Sequence, residues 1–273
     1  MSDDRPIAPF GRRAVPVVAK RMLGKYTSLT VADPAGKLLR PAQFHMLMAQ
    51  GNWGSSPSGR PFLPRAISYL STDGEGSIEF LIDPVGPGTE ELQALEEGDM
   101  LNIVGPLGNG FPSPTEGKRP VLVAGGIGLA PVLALAELLV SRSAAFDLVL
   151  GFRSSEHAQA AAEWPDAIIT TDDGSTGVHG SVIGPLESCM LSEPSEVFAC
   201  GPPGMLDAVR SLCDGAQIDS WLALESPMAC GFGSCFGCAV ETKDGIIRLC
   251  VDGPVLAGKS LNGVSSTGRV DPK

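Results

Sequence analysis

A chain of 273 residues with a formal net charge of −11 is long enough for two domains and a small third module. The acidic balance argues against nucleic acid or an anionic membrane as main partner, and no apolar run approaches the roughly 20 residues of a membrane span. The hydrophobic share of 43% is ample for packed cores. The opening MSDDRPIAPFGRR lacks the apolar centre of a secretory signal, so a cytoplasmic setting with reduced thiols is expected.

Residues 14–110 carry short apolar runs: AVPVVAKRML, YTSLTVAD, FHMLMAQ, AISYLS, SIEFLID and MLNIVGPLG. Gly, Pro and Asp separate them, which predicts an antiparallel barrel or sandwich. Between two of these runs, GNWGSSPSGRPFLPR has no periodic pattern and reads as a long loop around 52–60. From residue 118 the texture changes. KRPVLVAGGIG is a strand ending in glycines, and LAPVLALAELLVSR is a helix. FDLVLGFR, EHAQAAAEW, AIITTDD and SEVFACGPPGMLDAVRSLC continue as strand, helix, strand, and strand–turn–helix. Such alternation predicts a parallel, doubly wound sheet. A cysteine module follows from about residue 223, and GKSLNGVSSTGRVDPK reads as a loose polar tail. No internal repeat is visible. The expected fold class is multidomain α+β: a barrel over 1–114, an α/β sheet over 115–222, a cysteine module over 223–258 and a tail over 259–273.

Four of the seven cysteines, Cys230, Cys235, Cys238 and Cys250, are spaced C-x4-C-x2-C-x11-C in a glycine-rich stretch. Thiolates bind soft metals, so zinc and an iron–sulfur cluster compete with plain buried thiols. Zinc ribbons bring two C-x2–4-C knuckles together. Here three ligands share one loop and the fourth returns from the apparent strand IIRLCV, the spacing of plant-type [2Fe–2S] sites. Gly231, Gly233 and Gly237 would let the backbone wrap closely and aim N–H groups at sulfur. Cys189 and Cys213 have no such company and read as small core residues.

Two glycine turns end strands of the predicted sheet. VAGGIGLAP places Gly125, Gly126 and Gly128 at a helix start, which suits a phosphate; a merely tight turn is the alternative, since the motif is not G-x-G-x-x-G. ACGPPGM places Cys200, Gly201 and Gly204 at the same carboxyl edge, where ligands of open α/β sheets bind. Cys200 could face a nicotinamide ring or belong to the core. In the barrel half, Arg65 lies three residues before Ser68; a guanidinium and a hydroxyl can clamp a pyrophosphate or a flavin edge, or simply decorate the surface. Gly88 and Thr89 stand at a turn before a helix, again suited to phosphate.

In this order, a barrel with R-x-x-S and G-T, a sheet with G-G-x-G and C-G-P-x-G-M, and a four-cysteine loop, the chain resembles the ferredoxin–NADP+ reductase superfamily. Within it, the chain is similar to the electron-transfer subunits of type B dihydroorotate dehydrogenase. GPLGNGFP (105–112), VAGGIGLAP (123–131), TDDGS with Gly177 and Gly180, ACGPPGM (199–205) and the cysteine segment carry the resemblance, over about residues 14–256. It implies FAD contacts at Arg65, Ala66, Ile67 and Ser68, a flavin strand at Leu81, Ile82 and Asp83, and a pyrophosphate on Gly88 and Thr89. It implies a [2Fe–2S] cluster on Cys230, Cys235, Cys238 and Cys250, and NAD at the two glycine turns. The flavin motif usually reads R-P-x-S, and Ala66 departs from it.

The resemblance further implies a partner, an FMN-containing catalytic subunit that oxidises dihydroorotate to orotate in pyrimidine biosynthesis, in a heterotetramer with two copies of each chain. Electrons would pass from FMN to cluster to FAD to NAD+, because a flavin handles both single electrons and hydride. No catalytic acid or base is expected on this chain, and His45, His157 and His179 are scattered. Arg153 and Ser154 could accept a 2′-phosphate, whereas the resemblance favours NAD. Two other functions share parts of the pattern. One is the flavin and iron–sulfur subunit of an NAD(P)H:ferredoxin or sulfide-linked oxidoreductase. The other is a zinc-stapled nucleotide-binding regulator without redox activity.

Overall fold

The computed structural model describes residues 12–264 apart from 35, 37, 38, 52, 55–60 and 192; most of the 52–60 loop therefore lies outside the described residues. Six strands form the first half: β1 (Arg13–Leu23), β2 (Tyr26–Ala32), β3 (Phe44–Ala49), β4 (Arg65–Thr72), β5 (Ser77–Ile82) and, after helix α1 (Pro87–Gln93), β6 (Met100–Leu107). They close as an antiparallel barrel in the order β1-β2-β5-β4-β3-β6. Alternation decides its interior. Leu47 and Ala49 of β3 face inward with Leu29, Val31, Phe80, Ile82 and Ile103, while Phe44 and Met46, on the opposite face of the same strand, join a different apolar cluster.

The second half runs β7 (Arg119–Gly125), α2 (Leu129–Ser141), β8 (Asp147–Phe152), α3 (Ser155–Ala158), β9 (Ile168–Thr171), β10 (Val178–His179), α4 (Ile183–Met190), β11 (Ser195–Cys200), α5 (Pro203–Ala216) and β12 (Ser220–Ala223). The hairpin β13 (Ala239–Thr242) and β14 (Gly245–Arg248), the one-turn helix α6 (Leu249–Asp252) and β15 (Val255–Ala257) complete it. Strands β7 to β12 are parallel neighbours in the order β10-β9-β8-β7-β11-β12, and β15 adds an antiparallel edge. Both faces are covered, which is why these strands read as unbroken apolar runs. Leu122 and Phe198 meet α2 on one side; Val121, Val123 and Val197 meet Leu186 of α4 and Leu206 and Val209 of α5 on the other.

Four details differ from the sequence expectations. Helix α4 was hidden by Gly184 and Pro185, yet a proline in the first turn is tolerated because its missing N–H had no helical partner. The run EHAQAAAEW is only a turn of α-helix followed by a 3-10 turn at Gln159–Ala161. Cys250 lies on α6 rather than on a strand, since Asp252 Oδ2 accepts the Arg248 N–H at 3.0 Å and turns the chain. Residues 259–264, expected as loose tail, are tied down at two points: Leu261 is 1% exposed and the Val264 N–H reaches Asp207 Oδ1 at 3.2 Å. Among the described residues no helix is long and apolar enough to cross a membrane.

The halves are joined at the β1–β2 turn. A Cβ built on Gly24 would lie 2.0 Å from the Glu156 carbonyl oxygen, Lys25 pairs with Glu156 at 3.2 Å, and the Tyr26 and His157 rings meet edge-on at 5.9 Å. Inside the barrel, His45 is fully buried, edge-on to Phe80 at 5.2 Å, and neither ring nitrogen has a hydrogen-bond partner. Burial, aided by Arg13 and opposed by Asp33, pulls its pKa down to about 3. The unfolded chain then takes the proton first, so stability should fall as pH drops from about 6.5 toward 3, by about 1.4 kcal/mol per pH unit for this group. Urea midpoints at pH 7 and pH 5 measure it. His45→Leu should flatten this dependence, and an unchanged slope would rule His45 out as its source.

Candidate functional site: two clefts and a cysteine loop

The strand order reverses between β7 and β11, and the glycine turns after both strands meet there. At Gly128 a Cβ would stand 2.4 Å from the Cys200 carbonyl oxygen, so the two turns touch only because a side chain is missing. Gly126 has φ +54° and nothing near its Cβ position except Tyr26 Oη at 4.0 Å, leaving its backbone bare to an anionic ligand. The cleft above has a volume of about 490 Å3 and is lined by Gly125, Gly126, Gly128 and Gly201, with Tyr26, Arg153, His157 and Asp172 at one end and Glu225 at the other.

A second groove, of about 750 Å3, runs between the barrel and the sheet. Arg65, Ala66, Ile67 and Ser68 line one side with Leu81, Asp83 and Thr89; Ile127, Ala130 and the segment 224–228 line the other. The Arg65 guanidinium lies against Gly88, where a Cβ would sit 2.4 Å from its Nε. Its Nη1 donates to the Leu63 carbonyl at 2.5 Å, and its charge stands 5.7 Å from the Trp53 ring centre. The Thr89 hydroxyl is engaged in capping α1, accepting from the Gly86 N–H at 3.2 Å and donating to the Gly86 carbonyl at 3.0 Å. An apolar trough with a guanidinium at its rim fits a flavin dinucleotide, whose ring is apolar and whose pyrophosphate is anionic. The two clefts share Asp83, Ile127 and Glu225.

Three expected site residues lie elsewhere, Gly88 among them, buried beneath the Arg65 guanidinium. Ile82 is fully buried in the barrel interior, because the pleat that turns Leu81 and Asp83 toward the groove turns Ile82 inward. Cys200 is 3% exposed and lines neither cleft; burial first, then Glu225, raises its pKa well above the usual thiol range.

Beyond the shared segment lie the four thiols. Among the described residues no three His, Cys, Asp or Glu side chains are grouped to hold a metal ion; Cys230 interacts with Cys235, and Cys250 with both Cys238 and Cys230. A structural zinc needs four ligands about one point, whereas two irons divide four thiolates between them. Backbone N–H groups point at sulfur: Gly237 at Cys235 Sγ and Cys250 at Cys238 Sγ, both at 3.4 Å. Burial opposes ionisation of Cys230, yet amides of Phe232, Cys235 and Ser234 with the Cys235 thiol lower its pKa overall. The donor set fits a two-iron cluster.

Similarity to known proteins agrees with this geometry. Residues 225–262 match the family model of the iron–sulfur cluster binding domain of dihydroorotate dehydrogenase B. The dihydroorotate dehydrogenase B (NAD(+)) electron transfer subunit of Clostridium acetobutylicum is 35% identical over 245 residues, 86% of this chain and 94% of the relative. That of Geobacillus thermodenitrificans is 34% identical over 258 residues, 90% and 96%. The chain belongs to this family of electron transfer subunits. Among solved structures, a chain of the NADH-dependent reduced ferredoxin-NADP oxidoreductase superposes with a TM-score of 0.79 at 26% identity, covering 93% of this chain and 91% of that one.

Several residues of the clefts were not singled out from the sequence. Tyr26 sits in an ordinary strand run, and only the barrel's docking on α3 brings it to the cleft. Glu225 follows β12 in a stretch dominated by the cysteine signal. Its carboxyl is open to both clefts but hemmed in by protein elsewhere, and that desolvation raises its pKa. The glycine turns separate two kinds of substitution. Gly128→Ala should lower stability by about 3 kcal/mol, through overpacking against backbone. Gly126→Ala should cost about 1–2 kcal/mol from its left-handed backbone, while its methyl group obstructs a dinucleotide in the cleft. Thermal unfolding and NADH titration of both variants check this; loss of NADH affinity in Gly128→Ala alone would reverse the assignment.

Proposed function

We propose that this chain carries electrons from a dihydroorotate dehydrogenase catalytic subunit to NAD+ in pyrimidine biosynthesis, in the cytoplasm. The partner's FMN would be the source, and two copies of each chain the assembly. The observation that carries the reading is the single segment 224–230: its first part walls both clefts and its last residue is a cluster cysteine. The cluster supplies single-electron transfer, FAD exchanges single electrons for hydride, and NAD+ takes up the hydride.

The residues divide the work. Cys230, Cys235, Cys238 and Cys250 hold the cluster. Arg65, Ala66, Ile67 and Ser68 face FAD with Leu81 and Asp83; Arg65, braced by Gly88 and Trp53, meets its pyrophosphate beside Thr89. Gly125, Gly126, Gly128 and Gly201 seat the NAD pyrophosphate, which directs the nicotinamide toward the wall shared with FAD. Cys200 supports that wall from beneath, and Ile82 holds the flavin strand from the barrel core. The working division is a barrel to residue 114, a sheet domain from 115, and a cluster module from 223 that returns its last strand to the sheet. Exposed Phe232 and Phe236 flank exposed Cys235 and suit the partner side of the module. A second reading, as the corresponding subunit of a ferredoxin-linked oxidoreductase, draws on the 0.79 superposition; the identity of the co-purifying partner separates the two.

Arg65→Ala removes a charge-assisted contact worth about 1.5–3 kcal/mol, so FAD affinity should fall about tenfold to a hundredfold. Equal affinities in a titration of flavin-free protein would exclude Arg65 from the site. The isolated chain should oxidise NADH with ferricyanide but leave dihydroorotate untouched, because carbon deprotonation requires a positioned base. Adding the FMN subunit should restore NAD+-linked dihydroorotate oxidation. Cys235→Ser should lower iron per chain and abolish that coupled rate while sparing NADH–ferricyanide turnover. Turnover of dihydroorotate by the chain alone would refute this division of labour.

A further inference from the structure

One strand of the barrel touches both the cysteine loop and the flavin groove. The outer face of β3 carries Phe44 and Met46, 3% and 2% exposed, which pack in one apolar cluster with Cys238, Cys250 and Met228. Phe44 lines the groove and pairs across the ladder with Ser68; Met46 pairs with Ala66. Met46 lies under the residue after the first ligand: a Cβ on Gly231 would stand 2.6 Å from Met46 Cγ and 2.8 Å from its Sδ. The exit from the fourth ligand returns to the same strand, since a Cβ on Gly108 would lie 2.7 Å from Pro254 Cδ and 2.9 Å from Phe44 Cε1. Two residues of extended strand span about 7 Å. The cysteine loop and the groove are thus separated by one short, dry, side-chain layer.

We infer that Met46 is the positioning residue for electron hand-over between cluster and flavin, fixing the Cys230–Gly231 end of the loop against the groove wall. The inference rests on the cofactor assignment proposed above. Its neighbour Leu47 points into the barrel and belongs to the same ladder, so it reports what general loosening of β3 would do.

The hand-over is read in the full-length chain loaded with iron and FAD and mixed anaerobically with limiting NADH. NADH delivers a hydride, two electrons with one proton, to the flavin. With both groups bound, one of these electrons would go to the oxidised cluster and the other would stay on the flavin. Flavin reduction is followed by absorbance and cluster reduction by freeze-quench EPR. Electron transfer between separate carriers falls several-fold for each added ångström, so Met46→Ala should slow appearance of the cluster signal several-fold, Met46→Val less, and Met46→Leu least. Iron per chain, FAD per chain, the cluster's midpoint potential and the flavin reduction rate should stay at wild-type values. Equal cluster-reduction rates across the Met46 series, or equal slowing by Leu47→Ala, would overturn the inference. Absence of iron or flavin from the wild-type chain would instead overturn the cofactor assignment.

Discussion

The arrangement depends on one short antiparallel closure at the edge of a parallel sheet. The chain leaves the sheet after Ala223 and returns at Val255, and the two ends pair: Ala223 with Val255, Leu222 with Leu256 and Trp221 with Ala257. The Leu224 N–H donates to the Pro254 carbonyl at 2.9 Å, sealing the excursion at its base. Everything between is held at both ends by the strand that neighbours the glycine turn of β11. Closing the ends costs little more for a long excursion than for a short one, but each interior residue still loses backbone freedom on ordering, so a cysteine-rich excursion without a large core of its own needs further ties.

A second tie fixes the same excursion to the barrel. The connector after β6 hydrogen-bonds through Asn109 to the Gly253 carbonyl at 2.5 Å and, by its side chain, to the Asp252 carbonyl at 2.9 Å. Arg248 braces the loop from the hairpin, donating to the Gly233 carbonyl at 2.8 Å with its guanidinium 4.9 Å from the Phe236 ring centre. The module is therefore anchored to both larger units, and the barrel is anchored to the sheet again through Gly24 and Tyr26. Electron transfer falls steeply with distance, so a carrier gains from such rigidity, whereas a hinged enzyme that must expel water around its substrate does not.

Much of this was legible in the sequence because each signal was local. Short apolar runs separated by Gly, Pro and Asp pointed to the barrel, strand and helix alternation to the sheet, and the cysteine spacing to the module. What escaped depended on contacts between distant segments. VLA at 255–257 is too short to announce a strand, and its place beside β12 is decided by pairing. Cys250 looked like part of a strand because Ile246, Ile247, Leu249 and Val251 suggest one; the turn at α6 comes from a single carboxylate. Ile82 was assigned to the flavin with its neighbours, although a strand can present only alternate residues to one face. Tyr26 and Glu225 carried no motif at all and reach the clefts only through docking.

The three histidines show what the protein part of this site does and does not supply. His45 is walled into the barrel without a hydrogen-bond partner. His157 is held by Ser154 Oγ at 2.9 Å against the Tyr26 ring, and His179 meets the Asp172 carbonyl at 3.0 Å. Each is engaged in packing or in shaping a turn, and none lines the groove between barrel and sheet. The groove's titratable side chains are instead Arg65, Asp83 and Glu225, one cation suited to a pyrophosphate and two acids on the wall shared with the second cleft. That distribution suits a chain whose task at the flavin is to orient a ring and exclude water. Deprotonation of a carbon acid needs a base aligned with the scissile bond as well as an electron acceptor, and the groove's described lining offers an orienting surface rather than such a base.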